Sequence, residues 1–336
     1  MVKLNLGENL KNLQLRGDIL SILTVCLNPA LDREFYISDF TIDKLHRLSS
    51  ENSRMTPGGK AINVAVDLAS FGIRTVVSGF IGGYLGDVVL SELRETSTLI
   101  TTNFVHIEEE IRENIAIIDE KNHTLTEINS SGPVIPMEDL QHFLRRFELI
   151  SPNVSMIVIS GSIPVGVPNS VYGELTRIAK KHKKIVFWEA KDEVVSESLK
   201  ISPPLVLKPD FRREKKLFGK KLESEQDYIE AGKEAIRHGV KMVVLSYKVD
   251  YDIIVTEEGV WLIRPTIEVE HAHLLGTGDT YMAAMVYKYL STNDLIEIAK
   301  YGYAAALAKT WYRSKVPPKL DDIEKAMEKF KIERVE

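Results

Sequence analysis

The sequence predicts an α/β protein built on a doubly wound, mostly parallel sheet flanked by helices, with a small β-sheet lid. Short apolar runs typical of buried parallel strands recur along the chain, and segments with helical periodicity fill the intervals between them. Two regions break this rhythm with period-two alternation, the mark of strands with one face in water. The 336 residues, 44% of them hydrophobic, suffice to bury a large core.

In chain order, Met1 to Gly17 mixes Lys3, Glu8, Lys11 and Arg16 with spaced leucines, so 1–17 reads as an N-terminal extension without the apolar segment of a signal peptide. Ile19 to Val25 is the first apolar run. Arg33 to Phe40 alternates, as does Asn103 to Ile128 around the turn Glu120-Lys121-Asn122-His123. These two stretches predict a lid made of residues 32–55 and 99–131, inserted into an α/β core of 18–31, 56–98 and 132–336. Further strands are expected at Thr75 to Gly79, Met156 to Ser160, Ile185 to Trp188, Leu205 to Lys208 and Met242 to Leu245. Apolar residues three or four apart predict helices at Ala61 to Phe71, Glu138 to Ile150, Pro168 to Lys181, Gln226 to His238, Asp279 to Leu290 and Leu295 to Arg313. In such a fold, ligands bind beyond the carboxyl ends of the strands.

Composition excludes several classes. A formal net charge of -5 carries no basic footprint for nucleic acid, and no apolar run is long enough to span a bilayer. Cys26 is the single cysteine, which rules out an intrachain disulfide framework and fits a reducing cytoplasm. Its apolar strand context marks a buried structural thiol.

Chemistry concentrates at two glycine-rich junctions. In Gly276-Thr277-Gly278-Asp279, two glycines turn backbone N–H groups inward at the start of an apolar helix, where unpaired donors and the helix dipole favour an anion. Asp279 then stands where it can take a proton from a hydroxyl while the amides hold charge on a transferring phosphoryl group. Taken alone, this string also suits an ordinary turn with a capping Asp. The second junction is Pro57-Gly58-Gly59-Lys60-Ala61-Ile62-Asn63, where glycines again permit close approach, and Lys60 and Asn63 offer a charge and an amide to sugar hydroxyls or phosphate. Gly59-Lys60 is followed by Ala61, so a P-loop is disfavoured. Gly79-Phe80-Ile81-Gly82-Gly83 lacks dinucleotide-fold spacing, and His271-Ala272-His273 comes without paired cysteines or a zinc helix motif.

With Gly58-Gly59, Asn63, Ala65, Gly72 and Gly82 so spaced, and Gly276 to Asp279 downstream, the chain resembles the ribokinase-like (PfkB) carbohydrate kinases from about Leu23 to beyond Leu290. Asn28-Pro29-Ala30-Leu31-Asp32, Arg112-Glu113-Asn114, Thr126-Glu127-Ile128-Asn129 and Ser160-Gly161-Ser162-Ile163-Pro164 are similar to the branch that phosphorylates fructose 1-phosphate or tagatose 6-phosphate. The resemblance implies a sugar-phosphate site of Asp32, Gly58, Gly59, Lys60, Asn63, Arg112 and Ser160, joined by Arg47. It also implies a catalytic group of Asp279 with Gly276, Thr277 and Gly278. Nucleotide contacts would come from Lys208, Ser246, Lys248, Gly276 and Gly278. Mg²⁺ and ATP are the implied cofactor and co-substrate, with Asp210, Glu214 and Glu189 acting on the metal through water. Charge runs such as Lys44, Arg212 and Lys216 read as solvated.

Departures from the family pattern fall on the donor side. Ser246-Tyr247-Lys248-Val249-Asp250-Tyr251 has lost both glycines of the usual nucleotide string. Asp210 replaces an amide, Glu214 is displaced by one residue, Thr277 stands where Ala is usual, and Glu189 replaces Asp. The expected function is therefore a magnesium-dependent kinase making fructose 1,6-bisphosphate from fructose 1-phosphate. Kinases for tagatose 6-phosphate, fructose 6-phosphate or another sugar are alternatives, as is a sugar-phosphate-binding module with a lost nucleotide site. The resemblance also implies a homodimer paired through the lid.

Overall fold

The structure, a computed structural model, describes residues 20–212, 214–247, 251–269 and 274–336. The N-terminal extension 1–17, Lys248 and the His271-Ala272-His273 string lie outside the described residues.

A ten-stranded sheet forms the centre of the molecule. From one edge it runs Ile100–Ile107, Arg74–Gly82, Ser21–Cys26, Met156–Ser160, Ile185–Ala190, Val206–Pro209 and Met242–Tyr247, all parallel. Tyr251–Thr256, Gly259–Pro265 and Phe330–Arg334 then continue the sheet antiparallel, beyond the six predicted runs. The first strand shows why the apolar runs are continuous. Ile22 packs into one core with Val64, Tyr281 and Ala304, whereas Leu23 and Val25 pack into the opposite core with Phe143, Tyr172 and Tyr228. Both faces are covered by helices, so every position of the strand is buried.

Ser21–Cys26 is also the topological switch point. The chain leaves it toward Arg74–Gly82 on one side and resumes with Met156–Ser160 on the other, opening a crevice outside the carboxyl ends of both. Tight backbone packing shapes this end. A Cβ on Gly79 (φ +148°) would fall 1.8 Å from the Cys26 carbonyl oxygen, so only glycine lets the two strands meet there. Cys26 itself is buried, and burial pushes its thiol up to about 11, consistent with a structural role.

Over the crevice stands a second sheet of four strands, Ser53–Gly58, Ala30–Tyr36, Arg112–Asp119 and Thr124–Asn129. Ile100–Ile107 does not belong to it, contrary to the predicted 99–131 segment. That strand pairs parallel with Arg74–Gly82 as the outermost strand of the main sheet. Its exposed edge position accounts for the polar residues between Ile100, Phe104 and Val105 that make it read like a solvent-facing ribbon.

The first late helix, Thr277–Tyr289, packs against both the second, Leu295–Lys309, and the early helix Lys60–Ser70. The second stops at Lys309 rather than at the predicted Arg313. Ser314 takes a left-handed conformation (φ +58°), and Pro317-Pro318 bars further helix.

Candidate active site

A cavity of about 750 Å³ occupies the crevice between the sheet ends, the small sheet and the start of the late helices. Its walls include Asp32, Gly59, Lys60, Asn63, Arg112, Asp210, Gly276 and Asp279, which the sequence places far apart. Each arrives from a separate element. Gly59 (φ +104°) caps the helix Lys60–Ser70, and Gly276 (φ +81°, left-handed) caps Thr277–Tyr289, so two helix N-termini open into one space.

Asp279 lies in the first turn of the second helix and is buried at 6% exposure. Asn63 Nδ2 donates to its Oδ2 at 2.6 Å, fixing the carboxylate from the neighbouring helix. Burial raises the Asp279 pKa, and the nearby Lys60 ammonium opposes the rise. A carboxylate so placed is a stronger base than one in water. Thr277 does not crowd the loop, because its hydroxyl donates to the Leu274 carbonyl at 2.9 Å.

Lys60 is not a free cation facing a ligand. Its Nζ lies 2.5 Å from Glu189 Oε1 and 3.5 Å from Asp210 Oδ2. Burial works against its charge, but Asp210, Glu189 and Asp279 together outweigh burial and Arg212, and hold its pKa above the ordinary lysine value. Burial likewise opposes ionisation of Glu189, and Lys60 and Lys208 overcome it. Lys60 is therefore the hub of a buried carboxylate cluster beside Asp279. Expected at the sugar phosphate, it does line the cavity, with its ammonium shared by two carboxylates.

Asp32 and Arg112 form the opposite wall. Asn114 Nδ2 donates to Asp32 Oδ1 at 2.6 Å, and Lys315 pairs with Asp32 Oδ2. Gly58 makes room for this carboxylate, since a Cβ there would lie 2.3 Å from it. The guanidinium of Arg112 donates to the Asn28 carbonyl at 3.1 Å and to Asn114 Oδ1 at 2.7 Å. Its described hydrogen bonds all go to neutral oxygens, so its charge is anchored without an ion-pair partner. Burial lowers its pKa, as befits a cation held ready in a partly dry wall.

Other expected residues lie elsewhere. Ser160 is fully buried and donates to Glu189 Oε2 at 3.1 Å, so it props the carboxylate cluster from behind and does not line the cavity. Arg47 is exposed on the connection between two strands of the small sheet, outside the cavity walls. Lys208 is buried 3.8 Å from Glu189, and a Cβ on Gly278 would lie 3.3 Å from the same Glu189 oxygen. Ser246 is half-buried one residue before the end of its strand. Glu214 is exposed on a smaller cavity of about 90 Å³ shared with Lys191, Asp192, Glu193 and Asp210.

Two cavity residues escaped sequence analysis. Arg212 is exposed, as expected of a solvated charge, yet it also lines the cavity and reaches Asp210 at 3.2 Å and Glu127 of the small sheet at 3.7 Å. Lys315 has no motif around it beyond the prolines that follow. Only the turn after Lys309 brings it to Asp32. The Tyr247 and Tyr251 rings stack at 4.9 Å and pack toward Tyr228 and Glu225 of the helix Glu225–Arg237, and neither lines the cavity.

Known proteins share this architecture. The model of the pfkB family carbohydrate kinase matches residues 39–316. The 1-phosphofructokinase of Bacillus subtilis is 28% identical over 265 residues, which is 79% of this chain and 84% of that protein. That of Borreliella burgdorferi is 28% identical over 287 residues, 85% of this chain and 91% of that protein. A crystal structure of a possible 1-phosphofructokinase from Thermotoga maritima superposes with a TM-score of 0.91 at 43% identity, covering 94% of this chain and 100% of that one.

Proposed function

Because this chain belongs to the pfkB family of carbohydrate kinases, we propose that it transfers the γ-phosphate of ATP to the free primary hydroxyl of a ketohexose phosphate, with fructose 1-phosphate as the acceptor. The observation that carries this proposal is the layout of one cavity. Asp279 and the N-terminus beginning at Gly276 are at one wall, and the guanidinium of Arg112, hydrogen-bonded only to neutral oxygens among the described residues, is at another.

Arg112 holds the phosphate already on the sugar. Asp32, aligned by Asn114 and Lys315, receives sugar hydroxyls. Asp279 takes the proton from the primary hydroxyl as its oxygen attacks the γ-phosphorus. The bond to the β,γ-bridging oxygen breaks, ADP leaves, and the amides at Gly276 to Gly278 hold the charge on the phosphoryl oxygens. The small sheet acts as the lid, excluding water that would otherwise accept the phosphoryl group.

Among the described residues, no three carboxylate, histidine or cysteine groups converge as direct metal ligands. Asp210 and Glu214 line one small cavity and fit a hydrated Mg²⁺ that keeps several waters, although Asp210 is also paired with Lys60 and Arg212; Glu189 is engaged by Lys60, Lys208 and Ser160. When bound with ATP, Mg²⁺ would offset the charge of the phosphates, and Asp210 and Glu214 would hold it through water.

An acceptor profile tests the proposal. With ATP, kcat/KM is expected to be highest for fructose 1-phosphate, above fructose 6-phosphate, tagatose 6-phosphate and fructose. A preference for any of the others would reassign the substrate. Sugar-phosphate binding without binding of an ATP analogue and magnesium would instead mark a non-catalytic module.

One face of the small sheet, whose Arg33 and Ile115 also reach the cavity wall, fits a second copy of this chain. In its register, Met55, Arg33, Ile115 and Ile128 form one row across the sheet, and Met55 and Ile128 are 47% and 57% exposed. A dimer in solution would cover them. Ile128→Asp is expected to convert a dimeric species to monomer by light scattering, and an unchanged mass would exclude this face.

A further inference from the structure

Lys309 is a buried lysine that the proposed reaction does not use. It is 1% exposed at the end of the helix Leu295–Lys309, on the protein side of the glycine loop that precedes Asp279. Its side chain runs past Gly276, with Cε 3.8 Å from where a Cβ on that glycine would stand. Its Nζ donates to the Ser314 carbonyl at 2.5 Å. Ser314 has a left-handed backbone, a strained conformation for a serine that needs external support. Two contacts supply that support, the Lys309 ammonium on the carbonyl and Arg54 Nη1 on the hydroxyl at 3.2 Å.

The turn held this way carries the cavity's working parts. Lys315 follows at once, with Cγ 3.7 Å from the same Gly276 position and its ammonium on Asp32. One buried cation thus lies beside the glycine loop and holds the turn that, through Lys315, reaches the sugar-binding carboxylate. Its surroundings are those of a cation site. Asp67 from Lys60–Ser70, Glu34 from Ala30–Tyr36 and Asp279 from Thr277–Tyr289 favour the charge, while Lys315 opposes it. Glu34 is fully buried with Oε1 lacking a described hydrogen-bond partner, so negative potential remains on that side. Burial nonetheless pushes the Lys309 ammonium down to about 8, a cost that packing and the carbonyl must offset.

We propose that Lys309 is a built-in monovalent cation, a positioning residue whose ammonium fixes the Ser314–Lys315 turn against the Gly276 loop and makes phosphoryl transfer independent of dissolved monovalent ions. This inference rests on the assignment of Gly276 to Asp279 as the transfer site. An ammonium ion or potassium can replace a lost lysine head group where the cavity left behind has the same carbonyl and carboxylates around it.

The test compares wild type, Lys309→Ala and Lys309→Met in buffers whose monovalent cation is tetramethylammonium, then ammonium or potassium. Wild type is expected to keep full turnover in all three. Lys309→Ala in tetramethylammonium is expected to lose kcat on the order of 10²-fold, the scale of a misplaced catalytic loop, with a smaller change in the acceptor KM. Ammonium or potassium should restore most of that loss. In Lys309→Met the side chain fills the vacated space, so restoration should be weak.

Wild-type turnover that collapses in tetramethylammonium overturns the proposal, whether or not the variants fold. So does normal turnover in either variant, or a loss in a folded Lys309→Ala protein that neither small cation repairs. Asp279→Asn separates the two levels. If it abolishes turnover while the Lys309 variants behave as wild type, the transfer site stands and the cation role falls.

Discussion

Asp279→Asn is expected to lower kcat by on the order of 10³-fold while leaving the KM values for acceptor and ATP within a few-fold, because a general base contributes mainly as the reaction proceeds. The substitution is nearly isosteric and keeps a partner for Asn63, so the loop should hold its shape. Proton acceptance is what disappears. The pH profile offers a second handle. Burial raises the Asp279 pKa, and the base must be ionised to act, so wild-type kcat/KM should fall as pH falls through that raised value. Residual turnover of Asp279→Asn should lack this acid limb. A variant that retains it, or that turns over at the wild-type rate, removes Asp279 from the chemistry.

Arg112→Ala should act on binding. Losing a partly buried charge that meets a phosphate costs about 2–5 kcal/mol, equivalent to roughly 30-fold to a few thousand-fold in affinity. The loss should appear for sugar phosphates and be nearly absent for unphosphorylated sugars, measured by calorimetric titration. Lys60→Ala should behave differently despite the similar charge, because its ammonium is engaged by Glu189 and Asp210. Removing it takes a shared cation from two buried carboxylates, leaving Glu189 to Lys208 and Asp210 to Arg212, and stability as well as turnover should suffer. Equal loss for phosphorylated and unphosphorylated acceptors on Arg112→Ala would detach this residue from the phosphate.

Much of the architecture was legible in the sequence because a strand buried on both faces writes itself as an uninterrupted apolar run. Ser21–Cys26, Met156–Ser160 and Met242–Tyr247 are such strands. Ile100–Ile107 misled for the converse reason. At the sheet edge one flank is free, and its polar residues imitate the alternation of a solvent-facing ribbon. Glycines announced both helix N-termini, since few other residues tolerate the dihedral angles at Gly59 and Gly276.

What a cation does proved harder to read than where it lies. Lys60 and Arg112 look alike in sequence, yet one is engaged by carboxylates and the other is anchored by neutral oxygens. That difference arises from long-range packing against Glu189 and Asn28. Ser160 sits in a matching string, but alternation along its strand turns the hydroxyl under the sheet end and onto Glu189. Lys309 and Lys315 carry no local signal, because a turn with a left-handed serine brings them to the site.

The most direct measurement is a crystal structure with fructose 1-phosphate, magnesium and a non-hydrolysable ATP analogue. The acceptor's free primary hydroxyl should lie within hydrogen-bond reach of the Asp279 carboxylate and in line with the γ-phosphorus, with the sugar's own phosphate on Arg112. A sugar bound the other way round, its phosphate against Gly276 and its free hydroxyl remote from Asp279, would contradict the mechanism.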